Sequence, residues 1–148
     1  MKNSSQRDWS LMAIRVAAGA MMLTHGIPKL ITLFTADSVQ FASVFGMSPT
    51  LSLSLAVSAE VFCSILILVG FATRYAAVPL LITMLVAALN IHAADPFAKQ
   101  ELPLLYAAMY TTLIISGAGK FSIDSLISKQ QSTYIVSAMH AQRKASAS

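Results

Sequence analysis

Apolar residues run through this chain in long blocks, not in the short alternations of a soluble amphipathic fold. Four blocks stand out, at 11–34, 51–71, 76–94 and 102–118. A membrane-crossing helix needs roughly 17–25 predominantly apolar residues at about 1.5 Å rise each. The blocks therefore predict four transmembrane helices, of which the last is the shortest. The stretch LSLSLAVS in the second block alternates with period two, as a strand does. It continues unbroken into residues 65–69, and the length of the block favours a helix. Ser48-Pro49 opens the second block with a capping side chain and a proline in the first turn. Pro103 opens the fourth in the same way, Pro79 sits early in the third, and Gly117 and Gly119 close the fourth. There is no internal repeat.

Composition strengthens this pattern. The chain has 148 residues, 56% hydrophobic and 11% charged, with mean hydropathy +0.69. A soluble domain carries roughly 25% charged residues, so a water-facing surface is out of reach. The first block does not read as a cleaved signal. Lys2 and Arg7 precede it and AAGA resembles a cleavage site, but Arg15 interrupts the apolar core and HGIPK follows. The organisation expected is an N-terminal segment 1–10, a four-helix transmembrane domain 11–118, and a tail 119–148. In the tail, Phe121, Ile123, Leu126 and Ile127 are spaced for a short amphipathic helix on the membrane surface. The terminal QRKASAS has the composition of a disordered end.

Four spans place both termini on one side. Eight basic residues then share that side (Lys2, Arg7, Arg15, Arg74, Lys120, Lys129, Arg143 and Lys144), against Lys29 and Lys99 on the other. The positive-inside rule predicts both termini in the cytoplasm, with Asp37, Asp95 and Glu101 outside. The same asymmetry accounts for the net charge of +4 without nucleic acid, for which the chain has no basic-aromatic surface. The lone Cys63 excludes an internal disulfide and dithiol chemistry within the chain. Three histidines without paired spacing predict no metal site.

Ionisable residues inside apolar blocks are costly to bury, so they carry the functional signal. Glu60 lies nine residues into the second block, about 13 Å deep, and His25 lies at a similar depth from the outer end of the first. If the two helices are neighbours, the two groups meet near mid-membrane. They then form either a proton-handling or ligand-orienting pair, or an interhelical hydrogen bond that braces the bundle. Pro28 in His25-Gly26-Ile27-Pro28-Lys29 removes a backbone N–H, which predicts a broken or kinked helix lining a cavity. Lys29, one turn above His25, is placed to snorkel to the outer interface. Ala56, Ala59, Cys63 and Ser64 form a small face that lets a helix approach Glu60 closely. Asn90 and His92 are about 200° apart on a helix and cannot share a face. The stripe Thr83, Ala87, Asn90 is taken as interior, which leaves His92 hydrated. Tyr106 and Tyr110 share a face that is either an interfacial belt or part of the pocket. Glu101 suits the start of the fourth helix, and an Arg74–Asp124 contact is expected to tie two helix ends. The candidate ligand-binding or proton-handling set is thus His25, Lys29, Glu60, Asn90 and Tyr106, with Arg74, Asp124 and Glu101 as structural polar groups.

Three segments together resemble the DoxX family of small four-helix membrane proteins: RVAAGAMMLTHGIPKL, AEVFCSILILVGFATR and ELPLLYAAMYTTLIISGAGKFSID. The resemblance covers roughly 11–126. His25, Lys29, Glu60, Arg74, Glu101 and Asp124 match polar positions that recur in that family. The family takes its name from a subunit of a quinol oxidase and thiosulfate–quinone oxidoreductase system. The resemblance therefore implies an accessory subunit of a quinone-linked redox system in the bacterial inner membrane, with quinone as the expected ligand. No self-contained catalytic motif or cofactor fingerprint is present, so the chain is at most a subunit of an oxidoreductase, working with a protein partner or as a homo-oligomer in the bilayer. The alternatives are a small oligomeric transporter or proton-coupled permease, and a membrane scaffold that recruits another protein.

Overall fold

Lipid offers no hydrogen-bond partners, so an apolar chain of this kind satisfies its backbone inside helices. The computed structural model describes residues 2–145 and is all-helical. Its helices are α1 (Lys2–Thr35), α2 (Pro49–Val69), α3 (Thr73–Ile91), α4 (Phe97–Ser116) and α5 (Ile123–Ala145). The first three are long and apolar enough to cross a membrane, α1 over Ser5–Thr35. Helix α4 has 20 residues, but Lys99, Gln100 and Glu101 near its start lower its hydropathy. Among the described residues it is not in that class.

Each of the first four helices packs against the next, and α1 also meets α4, which closes a ring of four. Its centre is filled by Ala18, Met22, Ile67, Ala77, Leu80, Tyr106, Tyr110 and Leu113. The outside is apolar: Val16, Ile31, Leu55, Phe62, Ile65, Ile82, Leu89 and Ile115 all point away from the bundle. Large apolar side chains turned outward on every helix mark a surface made for lipid.

Ser48 does cap α2, accepting from the N–H of Leu51, with Pro49 in the first turn. Gly70 ends α2 in a left-handed conformation, and its N–H and that of Phe71 return to Leu66. A Cβ at Gly70 would also collide with the Arg15 guanidinium. The start of α3 borrows its cap from a distant segment. Both Asp124 oxygens accept backbone N–H groups, from Ala72 at 2.7 Å and Thr73 at 3.1 Å. Arg74 instead donates to the carbonyl of Ile115. The two residues do join helix ends, but through the backbone and not through the expected Arg74–Asp124 contact.

Other differences have local causes. Helix α1 begins at Lys2 rather than near residue 11, because Asp8 is buried against Lys120 (3.4 Å) and Trp9 packs on Phe121. It also runs unbroken through Pro28 to Thr35. Arg15 is buried, donating to the carbonyls of Ala118 and Phe121 beyond the end of α4. Helix α4 starts at Phe97, so Pro103 lies inside it and not in its first turn. Helix α5 has 23 residues, longer than the short tail helix expected; it takes in 142–145 of the QRKASAS end that composition marks as disordered, and residues 146–148 lie outside the described residues. Two stretches are wound as π-helix, Ser58–Cys63 in α2 and Ala87–Ile91 in α3.

Candidate functional site

Met22, His25 and Lys29 recur at three- and four-residue spacing on one face of α1, which turns them toward the same space. Gly26 lies beside them. A Cβ there would stand 2.9 Å from the Val61 side chain and 3.0 Å from the backbone of Glu60. The absence of that carbon lets α1 and α2 touch at the level of Glu60. Across this contact Lys29 Nζ donates to Glu60 Oε1 at 2.5 Å. The pair is asymmetric, since the Lys29 side chain is 33% exposed and that of Glu60 1%. The second carboxylate oxygen, Oε2, is buried and has no hydrogen-bond partner among the described residues.

Two cavities meet at this ion pair. One, of about 300 Å³, lies between α2, α3 and the loop 36–48. It is lined by Phe41, Val44, Ala56, Thr83 and Val86 together with Lys29 and Glu60. The loop is pinned over it by Val44 N–H donating to Ser52 Oγ at 3.2 Å, and Lys29 Nζ lies 5.9 Å from the centre of the Phe41 ring. The other cavity, of about 170 Å³, is a polar chamber. It gathers His25, Lys29, Glu60, Lys99 and Tyr106 from α1, α2 and α4, with His92 just past the end of α3. His25 meets Tyr106 edge to face with ring centres 6.1 Å apart, and Tyr106 stacks on Tyr110 at 6.1 Å. Both tyrosines are buried, and among the described residues neither hydroxyl has a hydrogen-bond partner. At the rim, Asp95 binds His92 Nδ1 (2.7 Å) and Lys99 (3.3 Å), while Gln100 donates to the carbonyls of His92 and Asp95. The hydrogen bond from His92, helped by Lys99, holds the Asp95 carboxyl below the usual carboxylate range.

His25 and Glu60 line one chamber, but the direct partner of Glu60 is Lys29, which folds inward and not out to the interface. Tyr106 and Tyr110 belong to the interior, which removes the interfacial-belt reading. Asn90 is exposed, while His92, with a side chain 34% exposed, stands at the rim of the chamber. The cause is the π-helical turn Ala87–Ile91. One extra residue in a turn rotates everything beyond it by about 100°, so a straight-helix reading fails after Ala87. Glu101 is exposed near the start of α4. His92, Lys99 and Phe41 were missed by the sequence reading. The i, i+3, i+7 spacing of His92, Asp95 and Lys99 was the available sign for the first two. Nothing in the pattern marks Phe41, which the loop carries into place.

Residues 10–93 match the DoxX family. An uncharacterized protein of Haemophilus influenzae is 34% identical over 95 residues, covering 61% of this chain and 63% of the relative. An uncharacterized membrane protein of Mycobacterium tuberculosis is 29% identical over 137 residues, covering 82% of this chain and 83% of the relative. A second Haemophilus influenzae protein, also uncharacterized, is 29% identical over 131 residues, or 84% of this chain and 95% of its own length. No solved structure matches.

Proposed function

The chain belongs to the DoxX family, and we propose that it is an accessory subunit of a quinone-linked redox system of the bacterial inner membrane, holding a quinone-like ligand at the Lys29–Glu60 pair. The observation that supports this most is the unpartnered Oε2 of a fully buried Glu60, placed where an apolar cavity meets a polar chamber. A buried carboxylate oxygen without a partner is costly, and a ligand carrying a polar head on an apolar body relieves that cost. The residues fit such a molecule. The 300 Å³ cavity is at the small end of ligand pockets, suits a ring, and has Leu55 and Ile82 of the lipid-facing surface on its walls. Lys29 would donate to a ring oxygen, Glu60 would accept or return a proton there, and Tyr106 lines the adjoining chamber. A bound quinone supplies reversible two-electron, two-proton chemistry, and a redox partner supplies the electrons.

The reading includes a topology. Helix α4 crosses the membrane as a fourth span, and both termini lie in the cytoplasm with most of the basic residues.

A ligand inventory tests the assignment. The protein is purified in mild detergent, extracted, and assayed for quinone by mass spectrometry beside Glu60→Gln, Lys29→Met and His25→Ala. Near-stoichiometric quinone in the wild type, lost in the Glu60 and Lys29 variants while the helical spectrum is kept, is the expected result. No quinone in any sample would sink the ligand and turn attention to transport or scaffolding.

A further inference from the structure

The polar chamber is placed asymmetrically along the bundle, and the asymmetry has a consequence for protons. We propose that the chamber is a water-filled inlet, open only on the side of the loops 36–48 and 92–96 and ending at Glu60, so that Glu60 exchanges protons with that side alone. This deepens the ligand reading above by adding the side of the membrane from which its protons come.

The loop side of the chamber is open. His92 and Lys99 stand at its rim with side chains 34% and 61% exposed. Its floor is buried and unsatisfied. Glu60 and Tyr106 are each 1% exposed, and Glu60 Oε2 and the Tyr106 hydroxyl have no partner. Where no ligand reaches them, buried polar atoms of this kind are met by ordered water. A volume of about 170 Å³ holds a few molecules at about 30 Å³ each.

One turn further along, Ser64 and Tyr110 continue the file of unpartnered hydroxyls. There it stops. The next inward positions on their helices are Ile67 and Leu113, which with Ala18, Ala77 and Leu80 are 0% exposed. This apolar plug fills the bundle between Ser64 and the terminal end. Beyond it Arg15 closes on the carbonyls of Ala118 and Phe121. Water reaching Glu60 from the terminal side would have to cross close-packed side chains. A proton leaving the Glu60 carboxyl passes to chamber water and out past His92, and one arriving takes the reverse course.

The inlet is testable without any ligand. In a Cys63→Ala background, Glu60→Cys, Tyr106→Cys and Ile67→Cys are prepared, with Lys99→Cys as the loop-side control and Arg74→Cys as the terminal-side control. Each monodisperse variant is exposed to a membrane-impermeant, positively charged methanethiosulfonate in vesicles of both orientations. Expected is labelling of Glu60→Cys and Tyr106→Cys only from the side that labels Lys99→Cys, and labelling of Ile67→Cys from neither. Labelling of the floor positions from the Arg74→Cys side overturns the proposal. So does failure of both floor positions to label from either side while both controls react. Floor positions on two helices keep the test decisive if one substitution misfolds. A one-sided inlet in protein that extracts without quinone would sink the ligand reading and leave the inlet standing. Quinone in protein labelled from both sides would do the reverse.

Discussion

Glu60 and Lys29 form a half-buried ion pair whose value depends on both members. Removing one partner strands a charge in low dielectric, whereas removing both does not. Lys29→Met is expected to destabilise the detergent-solubilised protein by up to about 3 kcal/mol. The double variant Lys29→Met with Glu60→Leu should recover most of that loss in thermal unfolding. Equal, additive losses would mean that the pair is not coupled. Asp124 offers a separate test. Its carboxylate supplies the N-cap of α3 from across the chain, so Asp124→Ala should cost about 1 kcal/mol, while Arg74→Met should leave that cap intact. At this scale Glu60 was legible as an isolated carboxylate in an apolar block. Its partner was not, because a lysine stem reaches inward or outward with equal ease and only the neighbouring helix settles which.

The two π-helical turns lie on the helices that flank the apolar cavity, and they account for the clearest misreading. Hydrophobic periodicity assumes one rotation per residue, and an inserted residue breaks that assumption without leaving a mark in the pattern. Thr83 and Ala87, ahead of or at the insertion, line the cavity as expected. Asn90, near its end, does not. The α1–α2 contact depends on Gly26 in the same local way. Gly26→Val would press on Val61 and the Glu60 backbone, and is expected to cost about 1–3 kcal/mol and to weaken the Lys29–Glu60 pair. The α3–α4 turn should respond to acid. Because the Asp95 carboxyl titrates below its usual range, its support for the turn is present above about pH 4. That support is lost as pH falls through the lowered value of the folded state. Faster hydrogen exchange at residues 92–100 in acid, abolished as a difference by Asp95→Asn, is the expected result. No difference between the two proteins would place the acid response elsewhere.

For the whole molecule, the prediction is topological. Reporters fused at the N- and C-termini should both read cytoplasmic, and a site inserted in the loop 36–48 should read external. Termini on opposite sides would show that α4 does not cross. A helical membrane bundle was legible in block length and composition, because lipid leaves an apolar backbone few other ways to satisfy its hydrogen bonds. The capping of α2 and the glycine stop of α4 were legible too, because they depend on a few adjacent residues. Which polar groups meet was a matter of packing alone. Periodicity tells which side chains share a face of one helix, but not how two helices are rotated against each other. That rotation follows from the close approach at Gly26 and the extra residues in α2 and α3. It puts Lys29 on Glu60, sets His92 at the chamber rim, turns Asn90 out, and leaves a chamber on one side of the plug.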